Sequence, residues 1–496
     1  MKIIVSNLAW LPKRTNNNPD GLTIEQQHSL KSSLTIIPRI AQDFADMADS
    51  SPIYAYQETD KLFGVPRAFF FANMKQQHDI VFDVCNGEAI HLPTTNWRAT
   101  GKYEEQSIAV EAMVNALINP PYGAMLHADC GCGKTILAIE IARRLGCATL
   151  VIVHKEFLLE QWQERILSMI PYAKIGIAQQ NECNFRDNDF VITLVQSLMQ
   201  RDYGADFYRH FGTVVIDEAH HFSSRAFSKT ILQFPAKYKI GLTATPSRSD
   251  CCENLFFWNV GGIAFHSNLK PMPFKAKIIR TGWKCHPRVS RPVALSLMSY
   301  DAIRTRTIVD ELMKAIKTGR KVLAMGERLH LLESIKIEIN RMLPNTTIGI
   351  FCGEWFVSTN DRNETYKRKT KKNPNPNERK MRFVTKHERK VAQKCQLVLA
   401  TKQTVEDALD IWDLDTLFMV TPVSSIEQPV GRIRRWTPEN ADHGKKEPIV
   451  VDFVDEAPVV EKLYKYRAAF YRENNAMPTT QQSKLVKQQT LFDTSK

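Results

Sequence analysis

Thr213-Val214-Val215-Ile216-Asp217-Glu218-Ala219-His220 sets four β-forming residues directly against two adjacent carboxylates. Such a run predicts a buried strand, and the carboxylates stand where it ends. Ligands of open parallel sheets collect at the carboxyl ends of the strands, so one carboxylate can face a metal and the other an attacking water. Upstream, Ala124-Met125-Leu126 leads into Ala128-Asp129-Cys130-Gly131-Cys132-Gly133-Lys134-Thr135 and then the amphipathic run Ile136-Leu137-Ala138-Ile139-Glu140-Ile141-Ala142. This is the strand, loop and helix order of a phosphate loop, with alanine at its first glycine position. Gly131 and Gly133 let backbone N–H groups turn onto phosphate oxygens, Lys134 reaches the β- and γ-phosphates, and Thr135 ligates Mg2+. The expected cofactors are therefore ATP and Mg2+, with Asp217 as a second metal ligand and Glu218 as general base or water positioner. Alone, the loop could be a surface lysine at a helix start and the carboxylates an exposed acidic turn. Their joint occurrence in this order favours a nucleotide site.

Outward from these motifs, short β-branched runs alternate with helical patterns: 148–154, 189–195, 213–216 and 238–243, then 321–325, 347–351, 396–400, 416–420 and 448–454. Strands alternating with helices predict parallel sheets, here two in tandem. The expected division is an N-terminal accessory domain of α+β type over 1–96, a first lobe over 97–270, a second over 271–476 and a flexible tail over 477–496. In the accessory domain Arg67-Ala68-Phe69-Phe70-Phe71 reads as an extended stretch, and nucleic acid is its expected ligand. The tail is rich in Gln, Thr and Lys and poor in apolar residues.

Composition narrows the partners. Lys and Arg number 66 against 53 Asp and Glu, a net charge of +13 that favours a polyanion. Between Arg362 and Lys390 twelve Lys or Arg stand against three glutamates, a local +9, interrupted by Asn373-Pro374-Asn375-Pro376-Asn377. This basic loop, 362–390, is either a solvated loop or a phosphate contact. No apolar run is long enough to span a bilayer, and the first residues lack a secretory h-region, so a cytoplasmic protein with no membrane partner is expected. The 10 cysteines include no pair of C-x-x-C motifs with zinc spacing.

The order of motifs from about Trp97 to Asp455 resembles that of superfamily 2 helicases. That resemblance implies two RecA-like parallel-sheet lobes preceded by the small α+β domain, with ATP bridging the lobes. Gln106 lies in the segment that reads adenine in the family, although Tyr103 does not directly precede it. His154 and Lys155, with Gln161-Trp162, and then Gln196 and Ser197 resemble the first lobe's nucleic-acid motifs. Gly241-Leu242-Thr243-Ala244-Thr245-Pro246 resembles the motif that couples the nucleotide site to the track, through Thr243 and Thr245. Gln428-Pro429-Val430-Gly431-Arg432-Ile433-Arg434-Arg435 matches Q-x-x-G-R-x-x-R, which implies that Arg432 and Arg435 are arginine fingers and that Gln428 shares their cleft. In the second lobe, Arg328 and His330 follow an opening-strand motif. Thr401 and Glu406-Asp407-Ala408-Leu409-Asp410 resemble the segments near the track, with Asp407 in place of the usual glycine.

Within the superfamily the motif details look most like DNA-repair helicases and bacteriophage branch-migration helicases of the T4 and T5 type. The implied partner is DNA, as a branched duplex with single-stranded character: forks, displacement loops and four-way junctions, in the host cytoplasm for a phage-encoded chain. Two other readings compete: an RNA helicase, and an ATP-controlled DNA clamp that grips without unwinding. Gln488-Gln489-Thr490-Leu491-Phe492 resembles peptides that dock on sliding clamps.

Overall fold

The computed structural model describes all residues except 1, 17, 39–50, 75–78, 96–103, 129–131, 219–229, 245–251, 268–271, 357–380, 408, 410, 435–444, 477–478 and 483–496. The chain forms two compact units, Met1–Leu269 and Lys270–Lys496.

The first unit is built on an eight-stranded sheet in the order Glu182–Cys183, Ile175–Gln179, Phe190–Leu194, Thr149–Val153, Thr213–Ile216, Tyr238–Thr243, Gly123–His127 and Ile263–His266. All neighbours are parallel except the edge pair Ile175–Gln179 and Glu182–Cys183. Alternate residues of each strand enter opposite cores, as the two-residue period requires. Val151, Val153, Val215, Ile240 and Leu242 pack against the helices Glu104–Leu117, Lys134–Leu145 and Glu156–Met169. Leu150, Ile152, Val214 and Ile216 face the other way.

That second face does not belong to the nucleotide lobe alone. Its core is continuous with Ile3, Val5, Leu11, Phe63, Val65 and Phe70 of an N-terminal sheet ordered Gln57–Glu58, Leu62–Pro66, Leu8–Pro12, Lys2–Val5 and Asp79–Phe82. Arg67, fully buried, links the two layers by donating from Nη1 to the Ala236 carbonyl (3.1 Å) and from Nη2 to that of Lys237 (2.9 Å). The stretch around it corrects the sequence reading: Arg67–Asn73 is a helix, not an extended segment. Helical spacing puts Arg67, Phe70 and Phe71 on its buried face while Phe69 meets Trp258 edge-on, so tertiary packing overrides the β-preference of the phenylalanines.

The second unit holds a seven-stranded sheet in the order Ile348–Phe351, Leu397–Thr401, Val322–Gly326, Thr416–Met419, Ile449–Val454, Lys275–Arg280 and Thr479–Gln482, parallel throughout. The last strand lies in the segment expected to be a flexible tail. As the edge strand it pairs through its backbone with Lys275–Arg280, a bond that needs no apolar side chains. Of the basic loop, residues 381–390 are described. Met381–Phe383 pairs antiparallel with Glu354–Phe356, and Lys386–Ala392 is a helix opened by a capping box of Thr385 and Glu388.

Candidate active site

Tyr238–Thr243 and Gly123–His127 are neighbouring strands, and beyond the second of them the chain turns through the phosphate loop into Lys134–Leu145. Gly133 caps that helix with φ +83°, a left-handed conformation that only glycine adopts cheaply. A Cβ there would also stand 2.9 Å from Nε2 of Gln106. Gln106, buried on Glu104–Leu117, donates from that nitrogen to the Cys132 carbonyl at 3.2 Å and so braces the loop from outside. Lys134 is buried, donates to the Ala128 carbonyl at 2.9 Å and lies 3.4 Å from Oε1 of Glu218. Thr135 is half-buried in the first helical turn. Gly131 lies outside the described residues.

Thr213–Ile216 carries the carboxylates to the same edge of the sheet. Asp217 continues the strand, its N–H donating to the Ile152 carbonyl at 3.1 Å. Glu218 then takes φ +48°, which is strained for a side-chain-bearing residue and turns its carboxylate toward Lys134. Burial, and then the Glu218 charge, push the Asp217 carboxyl above the usual range, while a hydrogen bond from Trp162 and the Lys134 ammonium hold it back. The Trp162 Nε1–H donates to Asp217 Oδ2 at 2.8 Å. Trp162 belongs to the inward stripe Leu158, Leu159, Trp162, Ile166 and Met169 of Glu156–Met169 and is 1 % exposed. The sequence marked Gln161-Trp162 as a nucleic-acid motif; the geometry gives Trp162 to the carboxylate instead.

These residues fit the cofactors the sequence predicted. A glycine-rich turn at a helix N-terminus beside a lysine suits phosphate. A buried carboxylate with a threonine hydroxyl in the adjoining helix is an oxygen donor set suited to a hard cation such as Mg2+.

The remaining first-lobe motifs gather at the carboxyl ends of the same strands. Gln196 donates to the His154 carbonyl at 3.0 Å, which joins two of them. Lys155 caps Glu156–Met169 without a side-chain bond to it. Ser197 is buried and turned away from solvent, and Thr243 is buried at the end of its strand. Thr245 lies outside the described residues.

In the second unit Gln428 and Arg432 ride the helix Glu427–Ile433, where Arg432 Nε donates to the Val405 carbonyl at 3.2 Å. Arg434 is held structurally: it donates to the Met272 carbonyl (2.7 Å) and to Asn474 Oδ1 (2.8 Å), and lies over the Phe274 ring. Arg435 and Asp410 lie outside the described residues. Thr401 ends Leu397–Thr401 and shares a 2.9 Å hydroxyl contact with Thr404.

Two buried ion pairs, which the sequence did not announce, set the segment before the arginine helix. Arg304 grips Asp455 through Nε (2.8 Å) and Nη2 (3.0 Å) and donates to the Val420 carbonyl at 2.9 Å. Arg467 donates to Asp452 Oδ2 at 2.8 Å and to the Val423 carbonyl, and Tyr471 adds a bond to the same carboxylate oxygen. No local spacing connects these partners.

The family model described as type III restriction enzyme, res subunit, matches residues 101–248. A protein of Acanthamoeba polyphaga mimivirus named as an ATP-dependent RNA helicase is 25% identical over 456 residues, 88% of this chain and 79% of that one. A protein of Escherichia phage T5 named as a helicase, D10, is 26% identical over 362 residues, covering 69% and 70%. Among solved structures, S. cerevisiae Dbp5 bound to RNA and ADP BeF3 shares the fold at a TM-score of 0.50 and 10% identity, over 76% of this chain and 89% of that one.

Proposed function

We propose that this superfamily 2 helicase, an ATP-hydrolysing enzyme that resembles the phage branch-migration helicases, works on branched DNA, moving forks, displacement loops and four-way junctions. In this reading Gln106, Gly131, Gly133, Lys134 and Thr135 hold ATP, and Thr135 and Asp217 hold Mg2+. Glu218 positions or deprotonates the water. Arg432 and Arg435, with Gln428, supply the positive charge that the γ-phosphate needs in the transition state. Thr243 and Thr245 couple hydrolysis to the track formed by His154, Lys155, Gln196, Ser197 and Thr401.

The observation that carries the nucleotide roles is the cluster of Lys134, Asp217 and Glu218, with a 3.4 Å ion pair between the lysine and the second carboxylate. DNA is favoured by the restriction-enzyme family whose description matches residues 101–248. The basic segment 362–390 and the N-terminal sheet add duplex contacts, mostly to phosphates and so independent of sequence. A second reading, action on RNA duplexes, rests on the mimiviral relative, which is named as an RNA helicase. Gln488–Phe492 is offered as a sliding-clamp peptide; it and residues 362–380 lie outside the described residues.

The test is ATP turnover by wild type and Glu218→Gln with no nucleic acid, single-stranded DNA, linear duplex, a four-way junction and duplex RNA. Strongest stimulation by the junction, abolished in the variant, is the expected result. Strongest stimulation by RNA replaces the substrate. Equal rates on all five, whatever the variant does, refute a nucleic-acid motor.

A further inference from the structure

Three parallel strands, Tyr238–Thr243, Gly123–His127 and Ile263–His266, end side by side at the phosphate loop. His127 closes the middle one, in register with Thr243 on one side and His266 on the other. Its ring is engaged at both nitrogens. Nε2 lies 3.1 Å from the carbonyl oxygen of Ala244. A carbonyl only accepts, so Nε2 carries a hydrogen and donates it. Nδ1 lies 2.6 Å from Nδ1 of His266. Two imidazole nitrogens at that distance share one hydrogen, one ring donating and the other accepting.

The backbone already joins these strands, for the Ala128 N–H donates to the Thr243 carbonyl at 3.1 Å. The His127 ring adds a bond that sheet pairing does not require. It reaches one residue further, to Ala244, between the two threonines of the coupling motif. Replacing the ring by an aliphatic side chain would keep the strand and lose that bond. His266 fixes the ring's rotation by engaging its other nitrogen, as a partner does for a metal-bound or catalytic imidazole.

We infer that His127 is a positioning residue: oriented by His266, it ties the Ala244 carbonyl, and with it Thr243, to the root of the phosphate loop. A shift at the phosphates is thereby passed to Thr243 as the movement of one body. The inference rests on the proposed coupling role of that threonine.

The test uses isosteres in the full chain. A glutamine amide nitrogen can stand where Nε2 of the ring stands, whereas an asparagine nitrogen stands where Nδ1 does. ATP turnover is followed against ATP concentration with saturating single-stranded DNA, the four-way junction or duplex RNA, whichever stimulates wild type most. His127→Asn is expected to lower kcat about 10-fold, the worth of one hydrogen bond, with KM for ATP within about 2-fold of wild type. His127→Gln should recover most of the loss. His266→Asn should stay close to wild type, and His266→Phe should fall toward His127→Asn. Equal loss in the two His127 variants, or a loss confined to KM or matched by a lowered melting temperature, overturns the inference. Thr243→Ala separates the premises. If it leaves stimulation intact, the coupling role fails and takes the inference with it; if it abolishes stimulation while His127→Asn does not, the inference alone fails.

Discussion

Replacing Trp162 with phenylalanine removes one N–H from Asp217 and leaves an aromatic ring in the core. The lost bond is short, at 2.8 Å, and its acceptor is a buried carboxylate. Hydrogen bonds to charged groups are worth about 1.5–3 kcal/mol, and 1.36 kcal/mol corresponds to one pH unit. Burial and Glu218 already raise the proton affinity of Asp217. Loss of the donor moves its titration a further ~1–2 pH units upward. With Asp217 as a metal ligand, Mg2+ must then displace a proton at neutral pH. The concentration of Mg2+ giving half-maximal ATP turnover is expected to rise about 10-fold at pH 6.5 and to approach the wild-type value near pH 8.5. Thermal melting separately reports the packing cost of the smaller ring. A Mg2+ requirement that stays at the wild-type value, or that rises equally at every pH, would refute the reasoning.

Further predictions concern the buried charges. Lys239 is 0 % exposed, its Nζ has no hydrogen-bond partner among the described residues, and burial, then Arg67, lower its pKa well below the ordinary value. Lys239→Met should therefore stabilise the chain, by about 1–3 kcal/mol near neutral pH. The unfolded lysine binds a proton below about pH 10.5 that the folded one resists, so the pH-dependent part of the gain builds as pH falls below that value and is absent above it; chemical denaturation at several pH values reads it. Arg467→Met leaves Asp452 buried without its cation and should cost about 3–5 kcal/mol, most of it recovered by adding Asp452→Leu, as denaturation of the single and double variants will show. Hydrogen bonds from Arg382, with the Thr385 cap, bring the Glu388 carboxyl down to about 2. Its contribution is present above the ordinary value of 4.5 and is lost as pH falls through 2. Glu388→Gln should speed amide exchange in Lys386–Ala392 about 5-fold at pH 5, with the difference closing toward pH 2.

The strands that fill the middle of each sheet were legible because they are buried on both faces, which leaves continuous β-branched runs such as Thr149–Val153 and Thr213–Ile216. Strands near the rim carry no such signal: Lys275–Arg280 mixes lysines with apolar residues, and the edge strand Thr479–Gln482 has a wholly polar sequence and is joined to the sheet by backbone pairing. In the candidate site Lys134, Asp217 and Glu218 could be read because loop, helix and strand end each have a local pattern. Trp162, His127, Arg304 and Arg467 could not be placed, since their partners lie far along the chain and only folding brings them together. Gln106 was found by its place before the phosphate loop, but its bond to the Cys132 carbonyl follows from the packing of Glu104–Leu117.

Because the N-terminal sheet and the nucleotide-binding sheet share one core, the first unit should melt as a single cooperative body. A cut near residue 96 would strip Phe63, Val65 and Phe70 from the apolar face of the parallel sheet and deprive the Ala236 and Lys237 carbonyls of their guanidinium donor. Both fragments would then present sticky surface. The amino-terminal sheet is in this sense a wall of the engine housing, and grafting it onto another motor would require that motor to carry a matching wall.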